Sequence, residues 1–187
     1  SWAGDFEVIE PEEGGHVIEN EDETKSFDVG KDEWKRRYHL VVTAQNAEGL
    51  SNLFTLIKRA YTDGFYRYPR IDFALLKKYG KGLNVSTACL GGIYSNRIMR
   101  GNALKIGDEQ IQSELSNLTD RFTDAVGEDN FYLEIQFNRL KQQHLVNHHL
   151  LRHADQTGIP LLATADSHYY AQDKWEAREL YKKLGWM

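Results

Sequence analysis

The sequence predicts an α/β fold built on a mainly parallel sheet, open or closed into a barrel, and three observations predict it. Strand and helix signals alternate from Arg37 to the end of the chain. The strand signals are short runs rich in apolar and β-branched residues. The segments between them carry helical periodicity and are long enough to serve as crossovers, which parallel strands require.

The first strand signal is "YHLVVTA", followed by a helix in which Leu50, Leu53, Phe54, Ile57 and Tyr61 recur at helical spacing until Gly64 stops it. In "YPRIDFALLKKYGKG", Pro69 biases Tyr68 to an extended form, and Asp72 can cap a short helix that ends at Gly80. "LNVSTACL" reads as a strand broken by Gly91-Gly92. Residues 108–126 place Ile111, Leu115, Leu118, Phe122 and Val126 on one face of a longer amphipathic helix. "FYLEIQF" is a further strand, and residues 141–157 form a helix closed by Gly158 and Pro160. "LLATADSHYY" then reads as a buried strand, and "DKWEARELYKKLGW" begins a last helix.

Composition narrows the class. Hydrophobic residues make up 41% and charged residues 27%, ordinary values for a globular protein. No apolar run approaches the roughly 20 residues that a bilayer crossing needs, so no membrane role is expected. The single cysteine, Cys89, cannot form an internal disulfide, which leans towards a cytoplasmic setting. The net charge of -5 is uneven: residues 1–30 hold ten acidic residues against one lysine, and the remainder is about +4. Residues 1–36 are therefore expected to be an acidic loop or insertion, with "DFEVI" as one short strand, and residues 37–187 the folded segment.

Four residues stand where chemistry is expected. Strand alternation would point Asp166 and His168 of "ADSHYY" the same way, at the carboxyl end of a strand, where α/β folds place their sites. Carboxylate and imidazole together suit a divalent metal. Cys89, also at a strand end, offers a thiolate, and His39 opens the first strand. Each has a structural role open to it as well: Asp166 as a turn cap, His168 as a surface hydrogen-bonding group, Cys89 as a small core residue and His39 as an edge residue. His144, His148, His149 and His153 lie on one helix, but Leu145 and Leu150 occupy the positions where a zinc-protease motif needs glutamate. They read as a polar helix face. "FYRYPRID" carries Arg67 and Arg70 among aromatics and suits a phosphate or a stacked base, or simply a surface loop. Neither a phosphate-binding glycine loop nor a GxSxG elbow is present.

Taken together, "YHLVVTAQNAEGLSNLFTLIKRAYTDGFYRYPRID", "GLNVSTACLGG", "FYLEIQ", "VNHHLL" and "GIPLLATADSHYY" resemble, in order and spacing, the polymerase and histidinol phosphatase (PHP) domain of bacterial-type DNA polymerase III alpha subunits. The resemblance implies a distorted (βα)7 barrel, here partial and lacking its N-terminal strands, with metal ions at the carboxyl rim. By position it carries over His39, Cys89, Asp166 and His168 as metal ligands for zinc, manganese or iron. A glutamate that the family holds on an earlier strand finds its only counterpart in Glu7. The family's opening H-x-H strand and the polymerase palm, with its magnesium, are not in this sequence.

The function so implied is that of a fragment of a replicative DNA-directed polymerase, metal-binding and able to support 3'-5' proofreading, with Arg70 steering the strand. The implied partners are DNA, the remaining polymerase domains, a sliding clamp and a proofreading exonuclease subunit. Two alternatives stay open: an inactive scaffold that docks the palm or a proofreading subunit, and a free-standing PHP phosphoesterase.

Overall fold

The computed structural model describes residues 37–185, so Glu7, "DFEVI" and the acidic segment 1–36 lie outside the described residues. Four strands, β1 (Val41–Ala44), β2 (Leu83–Ser86), β3 (Phe131–Gln136) and β4 (Leu161–Thr164), form one sheet in that order. β2, β3 and β4 are parallel, as the crossover helices imply, but β1 runs antiparallel to β2 with Val41 opposite Ser86. The reason lies in the connection. Helices α1 (Ala47–Thr62) and α2 (Phe73–Tyr79) run out and back, and Gln45 N–H donates to the Gly82 carbonyl, so β2 starts where β1 ends. Among the described residues the sheet has two edges, β1 and β4, and does not close into a barrel.

Helix boundaries follow local chemistry. Asn46 and Asp72 cap α1 and α2 by accepting from the N–H groups of Gly49 and Leu75, which satisfies donors that a first helical turn leaves unpaired. Helix α3 (Ile93–Ala103) starts at Gly92. Helices α4 (Asp108–Val126) and α5 (Lys141–Thr157) match the expected spans, and Gly158 ends α5 in the left-handed region at φ 76°. Helix α6 (Trp175–Gly185) closes the described chain.

The core lies on one face of the sheet. Leu83, Val85, Phe131, Leu133 and Ile135 meet Leu76, Ile98, Leu115, Phe122, Val146 and Leu150 from the helices. Phe122 stacks on Phe131 at 4.8 Å, and each such buried side chain contributes about 1.5–3 kcal/mol of transfer free energy. The stripe expected on α4 is buried throughout. The stripe on α1 is not: Leu50, Phe54, Ile57 and Tyr61 are exposed, Phe54 by 62%. That helix docks instead through Gly49, Leu56 and Ala60, because a Cβ at Gly49 would stand 1.8 Å from the Gly82 carbonyl oxygen. Small residues permit this approach and leave the large apolar ones facing outward. "LLATADSHYY" also differs from expectation, since β4 is an exposed edge strand that ends at Thr164.

The histidine face of α5 needs a second correction. His149 and His153 are buried rather than solvated, His153 completely. His153 Nδ1–H donates to Gln112 Oε1 at 3.0 Å, its Nε2 lies 2.8 Å from Thr119 Oγ1, and the Thr119 hydroxyl donates to the Leu115 carbonyl. Tyr94 O–H donates to Thr119 in turn, and Gln112 Nε2 donates to the His149 carbonyl. The network links α3, α4 and α5. A polar helix face by spacing thus becomes an interhelical hydrogen-bond ladder, because α4 supplies the partners that bury it.

Gly49→Ala weighs two opposed effects. Alanine gains about 1 kcal/mol of helix propensity, but the collision with backbone at Gly82 costs more, so a net loss of about 2 kcal/mol in denaturant unfolding is expected. Burial lowers the affinity of His153 and His149 for protons. Their contribution to stability is therefore full above about pH 6.5, where the unfolded histidines are neutral, and is lost as pH falls below it. The urea midpoint should drop between about pH 7 and pH 5, with a flatter slope in His153→Gln.

Candidate metal centre at the carboxyl edge of the sheet

Strand direction decides which residues meet. Because β2, β3 and β4 are parallel, their carboxyl ends share one edge of the sheet, and antiparallel β1 brings its amino end to the same edge. His39 precedes β1, Cys89 follows β2, and Asp166 and His168 follow β4. All four expected residues therefore lie along one edge.

His39 and Cys89 touch. Nδ1 of His39 lies 3.4 Å from Cys89 Sγ, and the His39 N–H donates to the Gly91 carbonyl at 2.9 Å. Two glycines make this turn possible. A Cβ on Gly91 would stand 2.8 Å from His39 Nδ1, and one on Gly92 would stand 2.1 Å from the Thr87 carbonyl oxygen. The Cys89 carbonyl accepts from Gly92 N–H and Ser95 Oγ, which fixes the thiol-bearing residue against the start of α3. "LNVSTACL" leaves the strand after Ser86, and Ala88 takes a left-handed φ of 60°. Such a conformation costs a non-glycine residue on the order of 1 kcal/mol.

Asp166 and His168 are paired differently from the expectation. The strand ends before them, and Asp166 has φ 46°, so strand alternation does not align the two side chains. Instead the Asp166 carbonyl accepts from His168 Nδ1–H at 2.6 Å. That bond sets the tautomer and leaves Nε2 with its lone pair, the state a metal-binding imidazole requires. Both residues are exposed. Two strand spacings, roughly 10 Å, separate β2 from β4, and no three His, Cys, Asp or Glu side chains among the described residues gather into one cation shell. The donors nevertheless fit the chemistry of zinc, iron or manganese: two imidazoles, a thiol and a carboxylate, in two pairs.

Arg70 sits beside this edge. It lines, with His39, Tyr68 and Asp72, an open groove of about 1080 Å³ between β1, α1 and α2. Its Nε donates to the Gly64 carbonyl, and its guanidinium lies 5.3 Å from the Tyr66 ring. Arg37 stacks over Tyr68 at 3.4 Å, so the groove mouth carries arginines backed by tyrosines.

One residue with a part in this edge was not singled out by sequence reasoning. Glu134, in the middle of β3, is only 5% exposed. Its Oε2 accepts from Ser86 Oγ at 2.5 Å, and its Oε1 accepts from Thr164 Oγ1 at 2.6 Å and Gln136 Nε2 at 3.1 Å. Burial pushes the carboxyl up, but these bonds outweigh it and hold the group below the usual glutamate value. The signal was present: a lone carboxylate within an otherwise apolar strand has to find partners.

The PHP domain family matches residues 9–138 of this chain. The chain is 39% identical to the DNA polymerase III subunit alpha of Aquifex aeolicus over 137 residues, covering 72% of the chain and 11% of that protein. It is 35% identical to the subunit of Borreliella burgdorferi over 86% of the chain, and 33% identical to that of Helicobacter pylori over 87%, in each case 13% of the relative. The chain thus spans about an eighth of the length of these curated relatives. With a family match over more than half its length and relatives of this identity, the chain belongs to the PHP domain family, as a homologue of a segment of DNA polymerase III alpha subunits.

Proposed function

We propose that this chain is the PHP part of a replicative DNA polymerase of the polymerase III alpha type, and that its carboxyl edge binds divalent metal ions through His39, Cys89, Asp166 and His168. The observation that carries the reading is the arrival of four donor residues from three separate stretches at one edge, with His39 and Cys89 in contact. Strands from outside the described residues would complete the sheet towards a barrel.

Such ions, when bound, would activate a water and stabilise charge on phosphoryl oxygens. The chain's own part is to hold and orient. The Asp166 carbonyl keeps His168 Nε2 free for a cation, and Gly91 keeps His39 beside Cys89. Arg70, in the groove shared with His39, suits a phosphate of a single strand through its planar guanidinium. The reaction is phosphodiester hydrolysis from a 3' end, with DNA, the remaining polymerase domains, a sliding clamp and a proofreading subunit as cytoplasmic partners. Magnesium belongs to a palm outside this chain.

The exposed apolar stripe of α1 favours a second role, docking of neighbouring polymerase domains, since Leu50, Phe54, Ile57 and Tyr61 form one contiguous face. A free-standing phosphoesterase has no such support.

The test is metal analysis and a single-strand 3' nuclease assay on the parent polymerase, with and without Asp166→Asn. Metal affinity should fall by about 100-fold and hydrolysis with it. Equal metal content would remove the metal site, and equal rates with metal lost would leave only the docking role.

A further inference from the structure

The buried carboxylate of Glu134 stands between the two halves of the candidate centre. Towards β2 its carboxylate accepts from Ser86 Oγ, and its backbone N–H donates to Thr87 Oγ1 at 2.8 Å. It thereby holds Ser86 and Thr87, which lead into left-handed Ala88 and on to Cys89. Towards β4 it accepts from Thr164 Oγ1, two residues before Asp166, the other left-handed residue of this edge. Gln136 Nε2 supplies a further bond from β3 itself. At 5% exposure, the carboxylate is committed to these three side-chain donors within the sheet.

We propose that Glu134 is a positioning residue for the metal centre: a brace across β2, β3 and β4 that holds the loop of Cys89 and the loop of Asp166 in register with one another. The two strained turns are then explained together. Left-handed alanine and aspartate are held where surrounding structure over-determines them, and a buried carboxylate bonded two residues before each turn is such a structure. A neutral amide in its place would offer one acceptor oxygen where the two hydroxyls, each on a different oxygen, need two. The proposal rests on reading this edge as a metal site, so its test includes an arm that needs no metal.

The experiment uses the full chain, Glu134→Gln, Thr164→Val and Thr164→Ser, with Ile135→Val as a control on the opposite face of the same strand. Cobalt(II) titration, followed by the thiolate charge-transfer band, reads the assembled centre. Iodoacetamide labelling of Cys89 in metal-free protein reads the β2 loop alone. Glu134→Gln should bind cobalt about 10–100-fold more weakly and label several-fold faster. Thr164→Val should weaken cobalt binding without changing the labelling rate, and Thr164→Ser should restore it. Ile135→Val should lower thermal stability while leaving both readouts as in the unmodified chain. Unchanged cobalt affinity and labelling in Glu134→Gln would overturn the brace. Should the unmodified chain bind no cobalt, the metal reading falls, and labelling decides: faster in Glu134→Gln supports the brace, equal rates overturn it.

Discussion

A carboxylate inside a buried strand has to be satisfied where it stands, and the partners available to Glu134 are the two strands beside it. Desolvating an unpaired carboxylate costs several kcal/mol, so β2 and β4 must present Ser86 and Thr164 in register with β3. One face of β3 meets this demand while the other, through Phe131, Leu133 and Ile135, anchors the helices. The sheet is thus specified from both sides of a single strand. A register slip of one residue would exchange the faces, placing the carboxylate in the aromatic core and the phenylalanine against hydroxyls.

Close backbone approach is the second constraint, and it acts at the ends of the same sheet. Gly49 lies against Gly82 where β1 hands over to α1, and Gly91 and Gly92 turn the chain beneath His39 after β2. These contacts have no room for a Cβ. The first sets the direction in which β2 leaves β1, and the second brings an imidazole to a thiol from residues fifty positions apart. The geometry of the edge therefore depends on the absence of side chains as much as on their chemistry.

Away from that edge, the outward apolar stripe of α1, with Phe54 and Tyr61 in water, and the exposed edge strand β4 are the surfaces on which the proposed docking of neighbouring domains rests. The buried Tyr94, Thr119 and His153 ladder, by contrast, belongs to the interior of this segment and ties α3, α4 and α5 into one layer.

The sequence by itself determined what nearest neighbours along the chain can carry: the spans of α4 and α5, the Asp72 cap, the Gly158 stop, the four strand positions and the motif order of the family. It also marked His39, Cys89, Asp166 and His168 by residue type and by place at strand ends. Only the tertiary structure decided the direction of β1, which stripe of α1 is buried, that His149 and His153 face α4, and that Glu134 has Ser86 and Thr164 to bind. Periodicity and capping are local properties, encoded within a turn or two of helix or strand. Burial and pairing depend on groups 30 to 50 residues away, as with Glu134 and Thr164 or His39 and Cys89, and no local pattern records which distant group will arrive.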